Sequence, residues 1–519
     1  STSSPTCTAC TTPECRRCSP GRYSYPGMPE CLLCRVGEIA PNEGSVNCTK
    51  CKVEETTDGE GSTKCICGAE TYRANDANGS CTDCSGHSMD CSAPGTTVAS
   101  LKVKAGYWRA DNGTMSLLPC PTTDACVGSS NNMATTNSSN TTICINGLCA
   151  CGQRGPLCAI CDVNYTRFSS SGRCSKCPET LGASIAWSLF FAVLAAFCLW
   201  FFLWVSRGTQ GGFIRPIINA WQTMSVVLST SNDWPEAVKF IQEYVLQIVN
   251  LDVISLASPS CLGVPLNFYS RFFLTVFGSV VLVGAPWLFS VRKWWRRRVA
   301  PESWEKAKEQ CQRDSILLVL IIYIIVTAKA LNHFRCLHIE SSIPGNTKSY
   351  LMADFTIECY DTSWWGVTVF AIIVILFFSI GAPLGFAYEL YKRRDELEDP
   401  EVAKLLGMLY KPYKPAYYYW ESVVIFFKLI LIVGLVFTEP GTLYQHAAML
   451  AVCAIQLIAQ ARAQPYDTLT KNALQYMGTS LTFAMSFGGM LMQNMKLEER
   501  EASHRLFGAE KANSTKQYQ

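Results

Sequence analysis

The feature that most constrains this chain is a change of solvent near residue 180. Of its 28 cysteines, 22 lie between Cys7 and Cys177, and the long apolar runs lie beyond them. The two halves meet in one stretch, from Cys158 to Val205 (CAICDVNYTRFSSSGRCSKCPETLGASIAWSLFFAVLAAFCLWFFLWV). Its last 23 residues, Ala183 to Val205, carry no charge. At about 1.5 Å per residue that is enough helix to cross a hydrocarbon core of about 30 Å. An oxidised, stapled region therefore precedes a region built for lipid. The chain opens at Ser1 without an apolar signal segment and reads as a processed or trimmed product.

The cysteines repeat. Cys15-Arg-Arg-Cys18, Cys31-Leu-Leu-Cys34, Cys48-Thr-Lys-Cys51, Cys65-Ile-Cys67 and Cys81-Thr-Asp-Cys84 begin 16 or 17 residues apart. Gly21 and Gly37 each stand three residues past the second cysteine, where a tight turn needs positive φ. Units this short cannot bury a sufficient core, so cross-links replace it. Zinc knuckles are the rival reading of paired C-x-x-C. Against them stand the glycosylation sequons at Asn47, Asn78, Asn112, Asn137, Asn140 and Asn164, and a single histidine, His87, in this half. Disulfides are expected, with a connectivity the sequence leaves open.

Cys15 to Tyr23 (CRRCSPGRY) fits C-x-x-C-x-x-G-x-Y and resembles the ephrin-receptor-like cysteine-rich repeat; Cys51, followed by Lys-Val-Glu, departs from it. Leu101, Val103 and Ala105 alternate ahead of Tyr107 and Trp108, a short strand signal. Cys149 to Cys158 looks like the end of an epidermal-growth-factor-like fold. GYWR, CPTTDAC, GPLCAIC and CSKCP together resemble multi-pass surface proteins of protists and algae, with ephrin-receptor-like repeats ahead of a transient-receptor-potential-like membrane domain. Expected are repeats over 1–91, a GYWR module with a polar loop over 92–143, and a membrane-proximal EGF-like module over 144–180. A transmembrane domain over 181–495 and a polar tail over 496–519 follow. The fold class is then small, disulfide-rich, glycosylated ectodomain modules, short in β and rich in loops, followed by an all-α polytopic bundle of about eight helices.

Further spans are expected at Phe268–Val291, Ser315–Leu331, Trp365–Tyr388, Tyr418–Phe437, Leu443–Ala461 and Leu474–Met492. Basic residues at Arg292–Arg298 and Lys392–Arg394 mark cytoplasmic ends. The first span runs inward, so another crossing must lie between Arg207 and Leu266. Phe213–Thr230 is the better candidate, because Ala237–Ala257 carries Lys239, Glu243 and Asp252. The scheme leaves the tail from Lys496 outside. Cys336 and Cys359 share an outer loop as a candidate disulfide, and Cys261 needs an ectodomain partner or stays free.

Several features could carry function. Arg292, Lys293, Arg296, Arg297 and Arg298 suit anionic lipid headgroups, although an interfacial anchor is the simpler reading. Pro286 and Pro383 each close a Gly-Ala-Pro triplet, read as ordinary helix kinks before gating ones. Thr482 and Ser486 lie with Gly478 and Gly489 on one face of the last span, either packing or lining a polar path. Glu421 and Lys428, seven residues apart, share a face within a span. Lys428 needs a partner, either Glu421 or a polar side chain of a neighbouring helix.

No catalytic or phosphate-loop motif stands out, the 5 histidines are scattered, and the net charge of +3 suggests no polyanion. The expected protein is no enzyme, needs no cofactor or metal, and binds no nucleic acid. Its partners are the lipid bilayer, N-linked glycans and an extracellular protein or glycan, with oligomerisation left open. It belongs in the plasma membrane or another secretory-pathway membrane, with the cysteine-rich half outside. A channel-like cue receiver and a non-conducting anchor or adhesion scaffold are the leading functions; lipid or small-solute transport fits the same helices. The short turn from Thr438 to Thr442 leaves no room for a re-entrant filter there.

Overall fold

The computed structural model describes residues 17–25, 30–74, 79–84, 88–121, 123–129, 148–166, 174–178, 180–207, 211–229, 234, 238, 261, 266–297, 301–342, 347–439 and 442–517. They form two compact units. The first comprises Ser1–Cys158, Ile339–Lys348 and Leu506–Gln519; the second comprises Ala159–His338 and Ser349–Arg505.

The first unit is a string of two-stranded antiparallel hairpins: Arg22–Tyr23 with Leu32–Leu33, Glu38–Ile39 with Thr49–Lys50, Glu55–Thr56 with Ile66–Cys67, and Thr71–Arg73 with Cys81–Asp83. Strands of two or three residues bury almost nothing, and cysteines supply the core. Cys18–Cys31, Cys34–Cys48, Cys51–Cys65 and Cys67–Cys81 are disulfides. Each joins the second cysteine of one pair to the first of the next. Gly21 (φ 85°) and Gly37 (φ 88°) take the positive-φ turn, and Glu70 (φ 64°) takes it in the unit after Cys67. The carbonyls of Gly21, Gly37 and Glu70 then accept from the amides of Cys34, Cys51 and Cys84, locking each turn to the next cysteine.

The same device continues past residue 91. Gly106 (φ 88°) accepts from the Cys120 amide, and Tyr107–Trp108 pairs with Leu118–Pro119. Lys102–Val103 pairs with Met89–Asp90, so Leu101 and Val103 are buried. Ala105 falls in the turn before Gly106 and is exposed, which ends the expected alternation. Arg109 of GYWR is buried. Its guanidinium donates to the carbonyls of Val98 and Leu101 at 2.9 Å each, a hydrogen-bonded staple in place of apolar packing.

The second unit begins with one more such hairpin, Tyr165–Thr166 with Ser175–Lys176, closed by Cys161–Cys174. Asn164 (φ 65°) holds its turn and accepts from the Cys177 amide. Helices follow: α1 Leu181–Arg207, α2 Gly211–Leu228, α3 Phe268–Arg297, α4 Pro301–Asn332 and α5 Thr362–Val374. A π-turn at Ile375–Ile380 leads into α6 Gly381–Lys392. The series ends with α7 Trp420–Phe437, α8 Leu443–Ala463 and α9 Leu469–Gln517. Among the described residues five helical stretches are long and apolar enough to cross a membrane: Phe268–Leu288, Trp304–Asn332, Thr362–Lys392, Pro415–Phe437 and Leu443–Ala463. Their outer faces expose large apolar side chains such as Phe277, Val280, Val281, Phe377 and Phe426, a surface suited to acyl chains. The C-terminal half is thus a membrane-protein helix assembly.

Several elements overrun their sequence-derived bounds. α3 carries RKWWRR as helix, α4 starts at Pro301 instead of Ser315, and α9 runs on to Gln517 rather than ending near Met492. Lys, Arg, Glu, Gln and Ala propagate a helix well, so a change of solvent ends a span without ending the helix. Arg298 and the segment Ala237–Ala257, apart from Val238, lie outside the described residues.

Two apolar clusters hold the bundle. In one, Tyr323 and Ile324 of α4 meet Leu390 of α6, Ile425 and Leu431 of α7, Met449 of α8 and Val227 of α2. In the other, Phe268 and Phe272 of α3 meet Ala330 of α4 and Trp364 and Ala371 of α5. Hydroxyls of α4 donate to backbone carbonyls close to both prolines. Pro383 leaves the Ser379 carbonyl without its helical donor, and the Tyr323 hydroxyl donates to it at 2.6 Å. Near Pro286, Ser315 donates to the Val283 carbonyl at 2.9 Å. A three-stranded sheet of Cys336–Ile339, Lys348–Leu351 and Asp354–Glu358 joins α4 to α5, with Cys336 bonded to Cys359. Cys261 is bonded to Cys177.

Candidate functional site

The polar side chains of the bundle collect where α2, α7, α8 and α9 meet. In α2 the stretch FIRPIINAWQTMS interrupts its hydrophobic residues with Arg215, Asn219 and Gln222. Spacings of four and three place these on one helical face. That face is buried.

Glu421 lies in the first turn of α7 and pairs with Arg215 of α2 at 3.1 Å, with the two side chains 2% and 6% exposed respectively. The Tyr413 hydroxyl donates to the same carboxylate oxygen at 2.6 Å. Two turns along α7, the Lys428 ammonium donates to Asn219 Oδ1 at 2.7 Å and Gln222 Oε1 at 2.6 Å. Gln222 in turn donates to the carbonyls of Leu320 and Ile321 on α4. Glu421 and Lys428 are thus brought to one seam without touching each other. Each takes its partners from α2, and Arg215, Asn219 and Gln222 complete the site. A basic residue with two amides at helical spacing was the sequence signal for them, and Lys428 takes these polar side chains of a neighbouring helix rather than Glu421.

The floor of the site is a short chain pairing. The Lys414 amide donates to the Pro465 carbonyl and the Asp467 amide to the Pro412 carbonyl, which brings the Tyr413 and Tyr466 rings together at 4.8 Å, tilted by 43°. Gln464 ends α8 with φ 42°, the reversal that returns the chain toward Tyr413. Burial, with the Glu421 carboxylate adding to it, raises both phenols well above their usual value, so both remain neutral donors. Tyr466 donates to Gln475 Oε1 at 3.1 Å, and Thr479 donates to Gln460 Oε1 at 3.0 Å.

The polar stripe then climbs α9 through Thr482 and Ser486, both buried. Their hydroxyls donate to backbone carbonyls one turn back, at Gly478 and Thr482, and Ser486 lies 3.8 Å from the Cys453 thiol of α8. Gly478 and Gly489 serve close approach. A Cβ at Gly478 would fall inside the Ala220 methyl of α2, and one at Gly489 would stand 2.5 Å from the His446 ring. The column therefore combines packing with polarity: small residues admit α2 and α8, and hydroxyls line the contact.

Asn47, Asn112 and Asn164 are exposed, while Asn78, Asn137 and Asn140 lie outside the described residues. Arg292, Lys293, Arg296 and Arg297 are on the last turns of α3, and their side chains lie outside the described ones.

Residues 21–65 match the family model described as tyrosine-protein kinase ephrin type A/B receptor-like, which covers the hairpins closed by Cys34–Cys48 and Cys51–Cys65. The Cysteine repeat modular protein A of Toxoplasma gondii is 29% identical over 161 residues, 29% of this chain and 5% of that protein. The chain thus matches only a small part of a far longer relative. No solved structure matches the chain. The protein carries an ephrin-receptor-like cysteine-rich segment ahead of an apolar helical half.

Proposed function

We propose that this is a non-enzymatic integral membrane protein whose cysteine-rich half faces outward, carries N-linked glycans and receives an extracellular protein or glycan cue. The helical half is channel-like, with α1, α2 and α9 joining the five long apolar spans to make eight crossings in the plasma membrane or another secretory-pathway membrane. A single observation supports this reading most: the buried column in which Arg215, Glu421 and Lys428 sit among amides and hydroxyls. Buried charge is expensive in lipid, and a protein that needed only an anchor could dispense with it. The path for a permeating species runs within one chain's bundle, along α2, α7 and α9, since the turn after α7 is too short for a filter loop.

Purified protein reconstituted in planar bilayers supplies the test. Currents that Lys428→Ala alters in selectivity or gating, while the variant keeps wild-type folded yield, support the proposal. A silent wild-type protein in bilayers of varied composition, with and without applied tension, sinks conduction. The non-conducting scaffold is the second reading. It is favoured by the hydroxyls of Thr482 and Ser486, which are engaged with their own helix rather than pointing donors into the column.

A further inference from the structure

The column has unbalanced charge and unbalanced donors. Arg215 and Lys428 bring two cations to the single carboxylate of Glu421, and among the described residues no second carboxylate lies within ion-pair distance of either. Lys428 donates to Asn219 Oδ1, which fixes the amide orientation and turns Asn219 Nδ2 away from the ammonium. Among the described residues, Arg215 Nη2 finds no acceptor and Asn219 Nδ2 makes no well-aligned hydrogen bond, facing only the Tyr466 hydroxyl, although both atoms are buried. The residues are four apart, about 6 Å along α2 and on one face. Two under-satisfied N–H groups, one without an acceptor and one facing only the Tyr466 hydroxyl, therefore stand one turn apart beside a surplus positive charge. Water can supply an acceptor there but not the missing counter-charge, and burial makes that absence costly.

We propose that the α2–α7 seam binds a small inorganic monovalent anion of the halide class, held by Arg215 Nη2 and Asn219 Nδ2 and neutralising Lys428. The anion deepens the function proposed above by naming what the column takes up. It is tested by equilibrium binding, so that its failure and a failure of conduction can be told apart.

The full chain in detergent is unfolded thermally in sodium chloride and, at equal ionic strength, in sodium gluconate, whose anion is far bulkier than a halide. The midpoint is expected to rise with chloride and saturate, as for any ligand that binds the folded state alone. Asn219→Asp keeps the shape and the Lys428 contact while placing a carboxylate inside the protein. It is expected to unfold later than wild type in gluconate and to lose the chloride response. Lys428→Met, which removes the surplus charge, is expected to lose that response as well. Identical wild-type midpoints in the two salts overturn the proposal, as does a full chloride response retained in Asn219→Asp. If neither variant folds, bromide located by anomalous scattering in wild-type crystals decides. Density beside Arg215 and Asn219 supports the site, and density only elsewhere or none overturns it. Currents without a chloride response remove the anion and leave conduction standing; a chloride response without currents does the reverse.

Discussion

Removing Arg215 offers the sharpest test of the bundle. Its guanidinium lies 3.1 Å from Glu421 with both side chains almost wholly buried, so Arg215→Leu strands a carboxylate that, among the described residues, keeps only the Tyr413 hydroxyl. Breaking one partner of a buried pair costs about 3–5 kcal/mol, whereas replacing both by apolar groups is often neutral. At about 1.4 kcal/mol per tenfold, the single change should lower the folded-to-unfolded ratio by two to three and a half orders of magnitude. Glu421→Leu should cost a similar amount by stranding Arg215. Arg215→Leu with Glu421→Leu should recover much of the loss, giving a coupling of about 2 kcal/mol or more in a double-mutant cycle. The assay is denaturant unfolding in micelles, followed by tryptophan fluorescence with helix content as second probe. Single changes costing less than about 1 kcal/mol, or an additive double, would show that the pair is solvated and that α2 does not seal the column.

Three other expectations rest on separate contacts. Gly478→Ala should destabilise by about 1–3 kcal/mol through overpacking against Ala220, and Ala220→Gly should relieve part of it; a neutral Gly478→Ala in the same unfolding assay would deny the close approach of α9 to α2. Loss of the Cys177–Cys261 bond, which closes 84 residues, should cost on the order of 4 kcal/mol by loop entropy, measured as the difference between wild type and Cys177→Ser with Cys261→Ser; no change in unfolding would remove its structural role. Burial pushes His333 down to about 4 from 6.5, so the unfolded chain binds the extra proton between those values. Stability from this group is complete above about pH 6.5 and lost as pH falls toward 4, by on the order of 3 kcal/mol. His333→Gln should show a shallower acid slope than wild type, and equal slopes would refute the assignment.

Much of this could be read directly from residues. The divide near residue 180 follows from the cysteine and hydropathy distributions, because a chain must either cross-link a small domain or bury it, and 23 uncharged residues fit only lipid or a core. The turns at Gly21 and Gly37 were legible for a similar reason: positive φ is nearly free only for glycine. Glu70 and Asn164 adopt the same turn without that signal, since the hairpin and its cysteines hold them there.

Pairing was not legible. Which cysteine meets which depends on hairpins of two residues a strand, whose register follows from turns rather than from any side-chain pattern. Helix ends drifted because Lys, Glu and Ala continue a helix beyond the membrane. The site itself was half visible. Lys428 and Glu421 declare themselves as charges among apolar residues, since lipid penalises each one locally. Their partners lie some 200 residues away on α2, and only the folding of that helix against α7 decides that Arg215 takes the carboxylate while Asn219 and Gln222 take the ammonium. A sequence states the desolvation cost of every charge, whereas the tertiary structure chooses the group that offsets it.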